Sequence, residues 1–169
     1  TEQGSSQKTR YQHLITKVND LNLTHPNSPE LKIWLAICIS TYAAFETPFS
    51  ALESIGKAKK ILEHSISQSP NALDGAAYVV LGTLYYMTPG WPISFGNTIK
   101  AEKLLKQGVK LNPNSIDSNY FYADFLLNNN KNHQAETFLR RAINIPSRPH
   151  QLYADDQLKE EARLALTKS

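Results

Sequence analysis

Five histidines, one cysteine and a cluster of carboxylates are the residues with the most chemical potential in this chain. His13, His25, His64, His133 and His150 fall in different elements, and no two share a metal-ligand spacing. Each reads as a surface or loop histidine. Cys38 is the only cysteine, which rules out an intramolecular disulfide. It sits at a small-residue position in an apolar helix and reads as a packing residue rather than a reactive thiol. Asp155 and Asp156 with Glu160 and Glu161 could suggest a carboxylate site. A solvated helix N-terminus, where the helix dipole favours negative charge, accounts for them better. Arg140 and Arg141 with Lys131 read as a solvated face. The chain has no His-Glu-x-x-His, no Cys-x-x-Cys, no phosphate loop and no Gly-x-Ser-x-Gly elbow. The expectation is a non-enzyme without cofactor or metal.

Composition narrows the class. The 169 residues are 41% apolar and 20% charged, which suits one domain with its own core. A net charge of +3 with scattered lysines and arginines gives no nucleic-acid footprint. No apolar run reaches the roughly 18 residues of a membrane span. The chain opens Thr1-Glu2-Gln3 without an initiator Met, so the reading leaves room for a removed targeting segment.

The element pattern is set by a repeat. Ala101, Leu105 and Gly108 recur 34 positions later as Ala135, Leu139 and Ala142. They recur 43 positions earlier as Ala58, Leu62 and Ser65, and Pro70 there matches Pro113. Small, apolar, small and then a proline break marks the second helix of a helical hairpin, written three times. The spacing predicts a disordered tail over 1–6 and a single helical domain over 7–169. Its first amphipathic helix covers 7–22. Next come helices opening at Ser28 and after Ser50, a pair over 73–87 and from Ala101 to Leu111, and a pair over 115–127 and 134–145. The last helix covers 154–166.

Tyr78, Leu81, Gly82, Tyr85, Ala101, Leu105, Gly108 and Pro113 resemble the tetratricopeptide repeat. Ala123, Ala135, Leu139 and Ala142 match in a third unit, where Asn119 stands in place of the aromatic. The first unit carries Trp34, Cys38, Ala58, Leu62, Ser65 and Pro70. The resemblance implies an all-α, right-handed α-α superhelix of about three hairpins with flanking N- and C-terminal helices. It also implies a protein-binding scaffold. Pro89 to Gly96, Ile116 to Tyr122 and Pro146-Ser147-Arg148-Pro149 with Ala154-Asp155 resemble the narrower group tied to the T-component of tripartite (TRAP) transporters. That likeness implies a periplasmic or outer-membrane lipoprotein, lipid-anchored upstream of Thr1, that helps a solute-binding protein. The alternative location is cytoplasmic.

Departures from the repeat locate the candidate site. Cys38 to Ala58 spans 20 residues and Gly82 to Ala101 spans 19, against 12 in the third unit. The first two hairpins therefore carry insertions, which either lengthen both helices or build a loop. The stretch 88–97, with two prolines and two glycines, must be a loop. Its Trp91 and Phe95 call for burial as a hairpin plug or for a role in recognition. In such arrays the first helices line the concave face. That face would present Leu35, Ile39 and Tyr42, then Val79, Val80, Thr83, Tyr86 and Met87, then Tyr120, Phe121, Asp124, Leu127 and Asn128. So apolar a face requires a cover. The candidates are the flanking helices of the chain, a protein partner, an apolar ligand or a second subunit. A purely structural oligomer is a further alternative.

Overall fold

A computed structural model describes residues 2–168, with side chains from Ser6 onward. It contains eight α-helices among the described residues and no strand. They are α1 (Glu2–Thr24), α2 (Pro29–Tyr42), α3 (Pro48–Gln68) and α4 (Ala76–Met87), followed by α5 (Thr98–Leu111), α6 (Ile116–Asn128), α7 (Asn132–Asn144) and α8 (Leu152–Lys168). The hairpins are α2–α3, α4–α5 and α6–α7, each packing most closely within itself. The expected tail over 1–6 is helical from Glu2 onward, continuous with α1, and Thr1 lies outside the described residues. Once a helix is nucleated, adding a residue at its end costs far less than starting one.

Local chemistry sets the helix starts. Ser28 caps α2, its hydroxyl accepting from the Leu31 N–H at 3.3 Å, with Pro29 in the first turn. The α3 cap is Thr47 rather than Ser50, because Pro48 occupies the first helical position just after it. Asn97 caps α5 through the Lys100 N–H at 2.9 Å, and Ser115 caps α6 through the Ser118 N–H at 3.2 Å. The expected start of α4 near Leu73 is a separate tight turn. Leu73, Asp74 and Gly75 all take positive φ there, so α4 begins at Ala76. The first insertion lengthens helix: α2 continues as a 3-10 turn over Ala43–Phe45, and α3 runs for 21 residues. Only the second insertion, between α4 and α5, is a loop.

Small residues set the helix spacing. A Cβ on Gly82 would lie 2.7 Å from Leu105 Cγ, and one on Gly108 would lie 2.5 Å from Val79 Cγ2. The α4–α5 pair thus interlocks twice, each helix giving up a side chain where the other inserts one. Ala58, Ala101, Ala123, Ala135 and Ala142 are fully buried and serve the same close approach. Cys38 is buried among them as expected, and burial pushes its thiol pKa up.

First helices α2, α4, α6 and α8 pack side by side, whereas α3, α5 and α7 touch one another little. The array therefore curves with the first helices on its inner side. α1 lies along α2 as the second helix of a preceding hairpin would, and α8 packs on α7 and beside α6. Both flanking helices extend the array. Of the two, α8 meets the inner face, where its Glu161 bonds Tyr120, while α1 packs on α2 alone among the larger contacts.

Two polar devices hold the C-terminal end. Asn119 is fully buried, and its amide donates to the Pro113 carbonyl at 2.8 Å and the Ser115 carbonyl at 2.7 Å. The residue that breaks the aromatic pattern thus ties the α5–α6 turn. Asp155 is not a solvated helix-end carboxylate: it is fully buried. It accepts from the Arg148 backbone N–H at 2.7 Å and from the guanidinium Nε at 3.0 Å. Arg148 also reaches Asp117 at the start of α6, at 2.7 Å. Burial acts to raise the Asp155 pKa, but the bonds from Arg148 outweigh it and hold the carboxyl below its ordinary range.

Gly108→Ala is expected to destabilise the fold by about 1–3 kcal/mol, and Val79→Ala in the same chain to recover part of that loss. Thermal melts would measure both, and a neutral Gly108→Ala would show that the interlock has slack. For Asp155 the folded pKa is depressed, so its contribution is complete above about pH 4 and is lost as pH falls through the folded value. Asp155→Asn should cost about 2–3 kcal/mol at neutral pH and flatten the acid limb of the stability profile. Urea titrations across that range check this, and an unchanged acid limb in the variant would assign it to other groups.

Candidate functional site

The inner face is built where α4, α6 and α8 lie side by side. Tyr120 and Asp124 are one turn apart on α6 and share a face, with Phe121 beside them. Tyr86 comes from the last turn of α4 and donates its hydroxyl to the Asp124 carboxylate in a short bond. Its ring meets Phe125 edge-on, with centroids 5.6 Å apart. Tyr120 donates to Glu161 of α8 at 2.6 Å, and its ring stands edge-on to Phe121 at 5.3 Å. Two tyrosine–carboxylate bonds therefore cross the three helices: α4 to α6, then α6 to α8. Both phenols are pushed well above their ordinary pKa, first by burial and then by the neighbouring carboxylates.

A groove of about 580 Å³ opens between α6 and α8 at this face. Tyr120, Leu127, Glu161, Leu164, Ala165 and Lys168 line it with Asn130 and Asn132. Its walls set Leu127, Leu164 and Ala165 beside the polar ends of Tyr120, Glu161 and Lys168.

Of the residues expected to form the site, Thr83, Tyr86, Tyr120, Phe121 and Asp124 are half-buried on α4 and α6. Tyr86 and Asp124 are in direct contact. The Thr83 hydroxyl donates to the Val79 carbonyl of its own helix, at 2.9 Å. Met87 is exposed at the end of α4. Three others lie elsewhere. Val79 is buried in the hairpin, because the missing Cβ of Gly108 leaves the space its side chain fills. Tyr42 turns toward α1, where its hydroxyl accepts from Gln12 at 2.8 Å. Phe95 stands edge-on to Tyr85, centroids 5.3 Å apart, with the Lys59 ammonium 5.5 Å from its ring.

The 88–97 loop divides the two readings of its aromatics. Phe95 is the plug, docked on Tyr85. Trp91 is 89% exposed, so the expected burial does not occur. The loop is held by the Gly96 N–H donating to Pro89 at 2.9 Å and the Asn97 N–H donating to Tyr85 at 2.8 Å. Gly96 has no room for a Cβ, which would lie 1.9 Å from the Thr88 carbonyl. The backbone closes on itself and leaves the Trp91 ring outside.

A second groove, of about 520 Å³, lies on the opposite side over α3, α4 and α5. Ile66, Tyr78, Leu81 and Leu104 line it with Glu63, Lys100 and Lys103. Tyr85 donates to Glu63 at 3.2 Å there.

Glu161 is exposed, as a solvated carboxylate would be, but sequence reasoning misses its contact with the candidate site. Its spacing in α8 gives no sign that Tyr120, 41 residues earlier, reaches it. The five histidines are all exposed, and no group of three His, Cys, Asp or Glu is placed to hold a metal among the described residues. No described helix is long and apolar enough to cross a membrane.

The tyrosine–carboxylate pairs carry a pH dependence. A phenol whose folded pKa lies above its unfolded one stabilises the fold below about pH 10 and loses that contribution as pH rises through the folded value. Stability should therefore fall on the alkaline side, and Tyr86→Phe should reduce that fall. Denaturant titrations and phenolate absorbance would follow it. Ionisation of all tyrosines at the ordinary phenol value, in the folded state, would contradict the burial of Tyr86 and Tyr120.

No protein-family model and no curated protein matches this sequence. Among solved structures the chain is similar to a thermophilic TPR protein of Thermus thermophilus. Identity is 19% with a TM-score of 0.64, over 99% of this chain and 86% of that one. At that identity the likeness speaks for architecture: the chain has a tetratricopeptide-like, all-α helical-repeat fold.

Proposed function

We propose that this protein is a binding scaffold that holds a protein partner on its inner face. The supporting observation is the run of half-buried aromatics Tyr86, Tyr120 and Phe121 across α4 and α6, with exposed Met87 at the end of α4 and α8 alongside. A repeat array buries its hydrophobic faces between neighbours and leaves its inner side as an extended binding surface. The fold neighbour is itself a TPR protein, which agrees with a scaffold role. An apolar small ligand is a weaker fit. The hydroxyls and carboxylates spread over three helices suit an extended contact better than a dry pocket.

The exposed Trp91 supports a second contact at the hairpin tip. Ile93 and Ile99 are exposed nearby in sequence, at 69% and 83%. Tryptophan is over-represented among residues that dominate interface energies. The narrower reading is a periplasmic, lipid-anchored accessory that docks to the solute-binding protein of a tripartite transporter. It draws its support from sequence resemblance alone.

The double variant Tyr86→Ser/Phe121→Ser tests the inner face. Partner capture from a source extract should fall by about tenfold or more, the effect expected of interface anchors. The helical signal should persist. Unchanged capture by a folded double variant would exclude this surface and direct attention to Trp91.

A further inference from the structure

The partner's chemistry can be read one step further, and this step rests on the scaffold reading above. We infer that the inner face of α4, α6 and α8 takes a peptide segment carrying a basic side chain between apolar ones, with Asp124 and Glu161 receiving the cation.

Hydrogen-bonding capacity is the first support. An ionised carboxylate only accepts, and its two oxygens offer about four lone-pair positions. Asp124 takes a donor from Tyr86, and Glu161 takes one from Tyr120. Among the described residues, no Lys, Arg or His lies within ion-pair distance of either carboxylate. Glu63, Glu102, Glu136 and Asp155 each hold a Lys or Arg, whereas Asp124 and Glu161 join Asp20, Glu30, Glu46, Asp74 and Asp156 in having none. Lys168 lines the same groove as Glu161 without pairing with it. The inner face thus presents two carboxylates, each bonded to one tyrosine and neither paired with a cation among the described residues.

Geometry adds to the charge. The two tyrosine bonds orient the carboxylates before any partner arrives, which lowers the ordering cost of binding. The rings of Tyr86, Tyr120 and Phe121 flank them, and aromatic faces attract cations. A guanidinium, with five donors in a planar fork, matches both features, and an ammonium matches them less fully. An acidic segment would meet like charge at each carboxylate. The apolar walls at Leu127, Leu164 and Ala165 suit aliphatic neighbours of the basic residue.

The test uses three fluorescently labelled peptide pools. They share leucine-flanked positions and differ only in a central Arg, Gln or Glu. Anisotropy titration of the full chain should show the Arg pool binding at least about tenfold tighter than the Glu pool, with the gap narrowing as salt rises. Asp124→Asn/Glu161→Gln, folded by circular dichroism, should bring the Arg-to-Gln ratio close to one. Equal binding of all pools, or preference for Glu, overturns the inference and leaves the scaffold reading intact. Binding by no pool overturns it too, and the scaffold reading then stands or falls on capture by the Tyr86→Ser/Phe121→Ser variant. An Arg preference that survives the double carboxylate variant also overturns it, because the selectivity then lies elsewhere.

Discussion

The contact between α4 and α5, where glycine meets a branched side chain, constrains everything built around it. Gly82 admits Leu105 and Gly108 admits Val79, so the helices interlock in both directions. That close approach sets the direction in which α4 presents its remaining side chains. Tyr86 lies two turns after Val79 on the same side of α4, at the end of the helix, and there reaches Asp124 on α6. A residue larger than glycine at either position would push the pair apart and move Tyr86 with it. The candidate surface is thus a consequence of hairpin packing, and its polar contacts come after the apolar ones in the chain of causes.

Curvature follows from the same packing. Alanines at repeated positions on the second helices let each hairpin close, and the first helices then pack side by side along the array. A stack with one tightly spaced layer and one loosely spaced layer must bend toward the tighter one. The flanking helices take positions at the two ends of this stack. At the C-terminal end, Arg148 joins the chain before α8 to Asp155 within it and to Asp117 of α6. That arrangement holds α8 beside α6, which lets Glu161 face Tyr120. An ion pair buried on its carboxylate side, as at Asp155, is weak evidence for net stability but good evidence for a specified position.

The two insertions show how differently extra residues can be used. In the first hairpin they lengthen α3 to 21 residues and extend α2 by a 3-10 turn whose Phe45 ring meets Tyr11 of α1. In the second they make a closed loop whose Phe95 returns to the body of the protein and whose Trp91 does not. Proline and glycine content separates these outcomes in advance, since 88–97 could not be helical. Nothing in composition says which of the two aromatics docks. That depends on the ring of Tyr85 being presented beside the loop by the α4–α5 hairpin.

The repeat, the all-α class, the hairpin order and the burial of the small residues were all legible from residue types and spacing, because each depends on a period along one helix. So was half of the candidate site: Tyr86, Tyr120, Phe121 and Asp124 follow from counting along helices from Gly82 and Ala123. What only the tertiary structure decided were the contacts between residues far apart in sequence. Tyr42 turned toward α1, Val79 sank opposite Gly108, Asp155 left the class of solvated carboxylates, and Glu161, still exposed, met Tyr120 of α6. Helical periodicity tells which side a residue faces. Which helix stands on that side, and with which side chain, depends on the packing of the whole array.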